Sequence, residues 1–272
     1  MLFRSGYGLG DGVQVSSVLR HVVKERPHWK VDYQAEEGKH QVGRGIVSAT
    51  FAYGEPYPSD HYDAEVQIIL YDTWANWHDR PNTRVSSCLH EQFGIKWRPD
   101  CARYVVNVSE GVKRWASDAV PKRAVAFHYQ GDSDKPNKDL LQTQADKIYN
   151  HILFNGHNPY KLGRHIPKGY DAEVNCAIIG QCKAFVGIDS GPSKCASATD
   201  TPALVIWTGH HPAPFHDPAP NTTHLVPVGY HGLKPVCNNK DVIAWFEAHY
   251  TVRYYTEDPV EEANNWLSEV LK

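Results

Sequence analysis

Apolar residues along the chain fall into short runs parted by polar turns, and their period switches repeatedly between strand-like and helix-like. An apolar start at Leu2 and Phe3 stops at Gly6-Tyr7-Gly8-Leu9-Gly10-Asp11-Gly12. Beyond it, Val15, Val18, Leu19, Val22 and Val23 recur at i, i+3, i+4, i+7 and i+8. That spacing predicts a helix with one buried stripe, ended by Pro27. Residues 29–33 read as the next strand. Strand, glycine turn, helix and strand in that order open a parallel α/β sheet. Residues 38–62 are rich in Gly, Pro and Tyr and predict loop, and 65–71 (EVQIILY) predict a buried strand. An aromatic, polar loop at 72–83 leads to a helix at 85–93, and 94–122 carry little pattern.

The alternation restarts after Pro121-Lys122-Arg123, the candidate domain boundary. Residues 124–128 (AVAFH) predict a strand and 131–137 a polar turn, and Leu141, Ala145, Ile148 and Ile152 mark a helix stripe. Strands follow at 184–188 (AFVGI) and 203–207 (ALVIW), around a turn at 189–193 and a small-residue helix at 194–199. A further strand is read at 225–228, with helices at 241–249 and 259–271. The expected fold is α/β, with two Rossmann-like domains facing across a cleft. The expected domains are 1–120 and 121–258, the helix at 259–272 lying either on its own domain or back on the first. In such sheets ligands bind beyond the carboxyl ends of the strands.

Composition narrows the function classes. The 272 residues carry 28 Lys+Arg against 31 Asp+Glu, a formal charge of -3, so nucleic acid is disfavoured as the main partner. No apolar leader and no run of about 18 apolar residues is visible, so neither a secretory signal nor a transmembrane segment is expected. The six Cys include no C-x-x-C pair and read as free thiols, with the cytoplasm as the expected compartment. His210-His211 with His216-Asp217 is the best metal-ligand cluster, but adjacent His side chains diverge on regular backbone, so neither metal nor cofactor is expected.

Two segments carry candidate chemistry. In the first, Gly8 and Gly10 let backbone approach a ligand and Asp11 opens the helix. Asp11 is either a first-turn acid worth about 0.5–2 kcal/mol to the helix or a carboxylate held at the sheet edge as general base. In the second, Asp189-Ser190-Gly191-Pro192-Ser193-Lys194 joins two apolar strands and caps a helix of Cys195, Ala196, Ser197 and Ala198, small enough for backbone amides to sit close to an anion. Cys195 reads as buried and inert.

The second segment resembles the nucleotide-sugar motif of glycosyltransferase family 9, the ADP-heptose:lipopolysaccharide heptosyltransferases: strand, D-S-G-x-x-H, small-residue helix, Pro, apolar strand. Gly8-Leu9-Gly10-Asp11 with its helix and Pro27 is similar to that family's opening. The stretch from Phe127 to Gly131, with Lys135 and Lys138, stands where the family carries a Gly turn and a phosphate-contacting Lys. Two features depart from the family: Lys194 replaces the motif His, and the stretch at 163–180 is compressed.

The resemblance implies a GT-B arrangement and an inverting, metal-independent transfer of a sugar from a nucleoside-diphosphate donor to a hydroxyl acceptor. Asp11 would be the base. Lys135 or Lys138, Asp189, Ser190, Gly191, Ser193 and Lys194 would meet the donor diphosphate. Gly131, Thr208, Gly209 and His210 would line the donor pocket. Gly8, Gly10, Trp74, Trp77, His78 and Arg80 would form the acceptor side, since aromatic faces suit sugar rings. Open alternatives are a donor other than ADP-heptose, an acceptor other than lipopolysaccharide (modified DNA included), and a catalytically silent nucleotide- or sugar-binding protein.

Overall fold

Two all-parallel sheets organise the chain. The computed structural model describes residues 1–70, 83–131, 138–163, 166, 171–208, 212–228 and 240–272. The first sheet takes β1 (Leu2–Ser5), β2 (Asp32–Ala35), β3 (Ala49–Ala52) and β4 (Glu65–Gln67) in the order β3-β2-β1-β4, with α1 (Leu9–Glu25) crossing from β1 to β2. Leu2 pairs with Asp32 on one side and Glu65 on the other. Helices α2 (Arg84–Phe93), α3 (Pro99–Ala102) and α4 (Glu110–Ala119) then lead to the second sheet.

That second unit runs β5 (Ala124–His128), α5 (Gln142–Phe154), β6 (Asn158–Lys161), α6 (Ala172–Gln181), β7 (Ala184–Ile188), α7 (Gly191–Ser197), β8 (Ala203–Ile206), α8 (Pro212–Phe215), β9 (Thr222–Pro227), α9 (Lys240–His249), β10 (Thr251–Tyr255) and α10 (Val260–Val270). Its strand order is β10-β9-β8-β7-β5-β6. The strand-helix alternation read from the sequence forms, but the buried strand expected at 65–71 is a three-residue edge strand, Glu65–Gln67, with its ends exposed. Strands at 124–128 and 184–188 fall on β5 and β7 residue for residue.

The period-two rule separates the faces of this sheet. Val125, Phe127, Val186, Ile188, Leu204 and Ile206 join one core with α5 and α10. Ala124, Ala126, Phe185 and Ala203 turn the other way, into a core shared with Val13, Val18, Leu19 and Val22 of α1. Hydrophobic packing thus runs from one sheet to the other through α1, α6 and α7. Of the two positions open to the last helix, α10 takes the one on its own sheet, against α5 and β7. The alternative in which residues 259–272 pack back on the first domain is corrected by that contact. Its Ala263, Trp266 and Leu267 already have a complete apolar partner surface there.

Strands β3, β6 and β10, helices α4 and α6, and the four-residue helices α3 and α8 are absent from the sequence reading. The three strands lie at sheet edges and are half exposed, so they lack a continuous apolar run. Helix α4 buries only Ala116, and α6 is buried on most sides between the two units, which erases its one-sided stripe.

Candidate functional site

The carboxyl ends of β1 and β7 point at each other, and each is followed by a turn that opens a helix. On the β1 side Asp11 stands in the first turn of α1, where the helix dipole favours a negative charge. Its Oδ1 accepts from Arg84 Nη1 at 2.7 Å, and the carboxylate keeps a third of its surface exposed. Arg84 is the first residue of α2, whose start is capped by Thr83 Oγ1 accepting from Ser86 N at 3.1 Å. Its Nη2 donates to Leu70 O at 3.2 Å. Tyr7, inside the glycine turn, receives the Leu70 N–H at 2.7 Å and donates to Ile68 O at 3.0 Å. Tyr7, Leu70, Arg84 and Asp11 therefore form one chain of polar contacts.

On the β7 side Asp189 is buried between two ammonium groups. Lys194 Nζ lies 2.5 Å from its Oδ1 and Lys138 Nζ lies 3.0 Å from its Oδ2. Burial alone would raise this carboxyl, but the Lys194 and Lys138 charges outweigh it and hold Asp189 well below the usual carboxylate range. Burial, helped by the Lys138 charge, pulls Lys194 below the ordinary lysine value, and Asp189 opposes that pull. Lys194 also lies over the Trp207 ring at 5.4 Å, and Lys138 over Phe215 at 5.9 Å.

Glycine makes the junction between the two turns possible. A Cβ on Gly191 would stand 2.8 Å from Leu9, and one on Gly10 would stand 3.3 Å from Gly191 Cα. Side chains at these positions would push the starts of α1 and α7 apart. With glycine the two turns touch, and Asp11 comes close enough for its charge to act on Lys194.

The expected site residues divide by place. Asp11, Gly8, Gly10, Asp189, Ser190, Gly191, Ser193, Lys194 and Lys138 gather at the junction. Thr208 lies at the carboxyl end of β8, and Gly131 follows β5 with its N–H on Asp139 Oδ1 at 2.8 Å. Trp74, Trp77, His78, Arg80, Lys135, Gly209 and His210 lie outside the described residues. Two of these residues already have partners inside the protein. Lys194 is 4% exposed and committed to Asp189, so it does not face open space. The Ser190 N–H is taken by Ser193 Oγ at 3.1 Å, and the Ser193 hydroxyl donates back to Ser190 O at 2.8 Å. Lys138, also paired with Asp189, keeps about a quarter of its side chain exposed. Burial pushes the Cys195 thiol up, in keeping with an inert cysteine.

The sequence reading missed Arg84 and gave Asp217 no role beyond a metal cluster. Arg84 stands 73 positions from Asp11, and only the fold brings the two together. A Thr before an apolar-periodic segment marks the start of α2, but nothing local marks its first residue as a partner of Asp11. Among the described residues no group of three or more His, Cys, Asp or Glu is placed to hold a metal ion. No helix among them is long and apolar enough to cross a membrane.

No protein-family model matches the chain, and no curated protein sequence is significantly similar to it. Solved structures are similar along its whole length. The ADP-heptose lps heptosyltransferase II of E. coli shares 12% identity over 99% of this chain and 98% of its own, with TM-score 0.69. The glycosyl transferase family 9 structure from Veillonella parvula DSM 2008 shares 12% over 99% and 97%, with TM-score 0.65. E. coli heptosyltransferase WaaC with ADP shares 12% over the full length of both chains, with TM-score 0.60. This likeness establishes the architecture: the chain has the GT-B fold found in family 9 heptosyltransferases.

Proposed function

We propose that the chain is a glycosyltransferase that moves a sugar from a nucleoside-diphosphate donor to a hydroxyl acceptor with inversion at the anomeric carbon. The observation that carries this reading is the meeting of an accessible carboxylate, Asp11, with a lysine-flanked carboxylate, Asp189, at the facing carboxyl ends of the two sheets. Structural neighbours that are heptosyltransferases, one of them with ADP, support it.

In this reading Asp11 accepts the acceptor hydroxyl's proton as that oxygen attacks the anomeric carbon, and the bond to the diphosphate oxygen breaks on the opposite face. Arg84 engages Oδ1, leaving Oδ2 as the proton acceptor. Proton transfer of this kind contributes about 10²–10⁴-fold. Negative charge growing on the diphosphate is met by Lys138, so the step is assigned to lysine rather than to a metal ion. Asp189 holds Lys138 in place, and Lys194 keeps Asp189 ionised. A division of the chain near Pro121, with the acceptor on the first unit and the donor on the second, goes with this proposal. So does a cytoplasmic setting, which fits the five buried free thiols among the described residues.

The test is a thermal-shift panel of nucleoside diphosphates and nucleotide sugars. A donor at one hundred times its Kd should add about 2.7 kcal/mol of stability by mass action. If no member of the panel moves Tm at millimolar concentration, the transferase reading fails.

A further inference from the structure

Asp217 is a second buried carboxylate, and its surroundings are the reverse of those of Asp189. It is 1% exposed, and neither carboxylate oxygen has a hydrogen-bond partner. It sits where the segment after α8 meets the first unit. Its backbone N–H donates to Tyr104 Oη at 2.7 Å, and the neighbouring Phe215 O accepts from Gln14 Nε2 of α1 at 2.6 Å. The donors facing its carboxyl also come from the first unit: the Thr83 hydroxyl and the Trp97 indole N–H. Neither closes a hydrogen bond to it, and the Trp97 Nε1 is itself buried without a partner.

Among the described residues no counter-charge compensates. Lys194 of α7 is the cation whose charge reaches Asp217, and its ammonium is committed to Asp189. His216 is fully buried, and burial with the Lys194 charge and His224 of β9 pushes its pKa well down, so it is neutral. Tyr104, and Tyr250 at the end of α9, whose hydroxyl donates to His216 O, are buried phenols raised far above their ordinary value. Burial accordingly pushes the Asp217 carboxyl up to about 7, against the pull of Thr83, Trp97 and Lys194.

We propose that Asp217 is a proton-controlled latch at the contact between the two units: with its carboxyl protonated the contact with Thr83, Trp97 and Tyr104 holds, and on ionisation that contact loosens locally while the shared core around α1, α6 and α7 stays packed. The sign follows from linkage. A carboxyl whose value is raised in the closed form binds its proton more tightly there than when the contact opens and water reaches it. The closed form is therefore favoured at low pH. That advantage is lost progressively from the ordinary carboxylate range, about pH 4, up to about pH 7, and is gone above it. The latch does not depend on the reaction proposed for Asp11, since it concerns only how the two units hold together.

Hydrogen exchange followed by mass spectrometry across pH 5.5–8.5, corrected for the intrinsic pH dependence of exchange, reads the latch directly. In the wild-type chain, segments 84–106 and 212–227 should lose protection as pH rises, by about tenfold or more. Segment 124–128 in the core of the second sheet should not change. Asp217→Asn should remove the pH dependence of the first two segments. Equal pH dependence in wild type and Asp217→Asn would overturn the proposal. So would a wild-type interface that keeps its protection to pH 8.5, a result that needs no variant to fold.

Discussion

The turns after β1 and β7 are built alike and used differently. Each follows a buried parallel strand, opens a helix and presents a carboxylate at the sheet's carboxyl edge. Asp11 keeps a third of its surface and, among the described residues, makes one ion pair, at 2.7 Å to Arg84. Asp189 is 8% exposed and held by two lysines. A carboxylate that must take a proton from a substrate needs access, whereas one that is sealed and doubly paired can only organise its neighbours. In the proposed reaction the β1 turn therefore carries the chemistry and the β7 turn the scaffolding.

Removing the scaffold should have the largest effect on stability. Asp189→Asn leaves Lys194 buried without its counter-ion, and losing one partner of a buried pair costs about 3–5 kcal/mol. Chemical denaturation at pH 7 checks this. The pH dependence should change with it. Asp189 is depressed in the folded protein, so its contribution is full above the ordinary carboxylate range and is lost as pH falls below it. Acid unfolding of Asp189→Asn should therefore be shallower than that of the wild type. An unchanged acid limb would show that Lys194 and Lys138 do not depend on this carboxylate.

Lys138→Ala separates binding from scaffolding on the same side. It leaves the Lys194–Asp189 pair intact, and it should weaken donor binding by about 1.5–3 kcal/mol, the worth of a hydrogen bond to a charged group. Calorimetric titration with the nucleotide found in the thermal-shift panel measures it. Undiminished affinity would remove Lys138 from the diphosphate site. The smallest stability effect belongs to the β1 side. Arg84→Gln should lower unfolding free energy by less than Asp189→Asn does, about 1–2 kcal/mol, since Asp11 is a third exposed while Arg84 also loses its bond to Leu70 O. Turnover should nevertheless fall with donor affinity unchanged, and Arg84→Lys should recover part of it. A fall in donor affinity instead would make Arg84 a donor contact.

What could be read from residues alone follows the same division. The helix α1 was legible because Val15, Val18, Leu19 and Val22 recur at helical spacing, although the fold buries Val13, Gln14, Ser16, Ser17 and His21 on its other sides as well, rather than one stripe. Strands β5 and β7 were legible because a central parallel strand is apolar throughout. The glycine turns and Asp11 could be found because the chemistry of a turn is local. Pairings across the chain could not: Arg84 with Asp11, Lys138 with Asp189, and Asp217 with Trp97 are separated by 73, 51 and 120 positions. Lys194 shows the limit most clearly. Its place in the motif suggests a ligand contact, and only the fold shows that it also packs on Trp207 and pairs with Asp189.

The division between the two turns meets its most direct test in Asp11→Asn, with donor affinity, Tm and turnover measured on the same preparation. The account predicts wild-type donor affinity, a Tm close to wild type and turnover lower by about 10²–10⁴-fold. Turnover within a factor of two of wild type would contradict it, because the β1 turn would then carry no proton transfer.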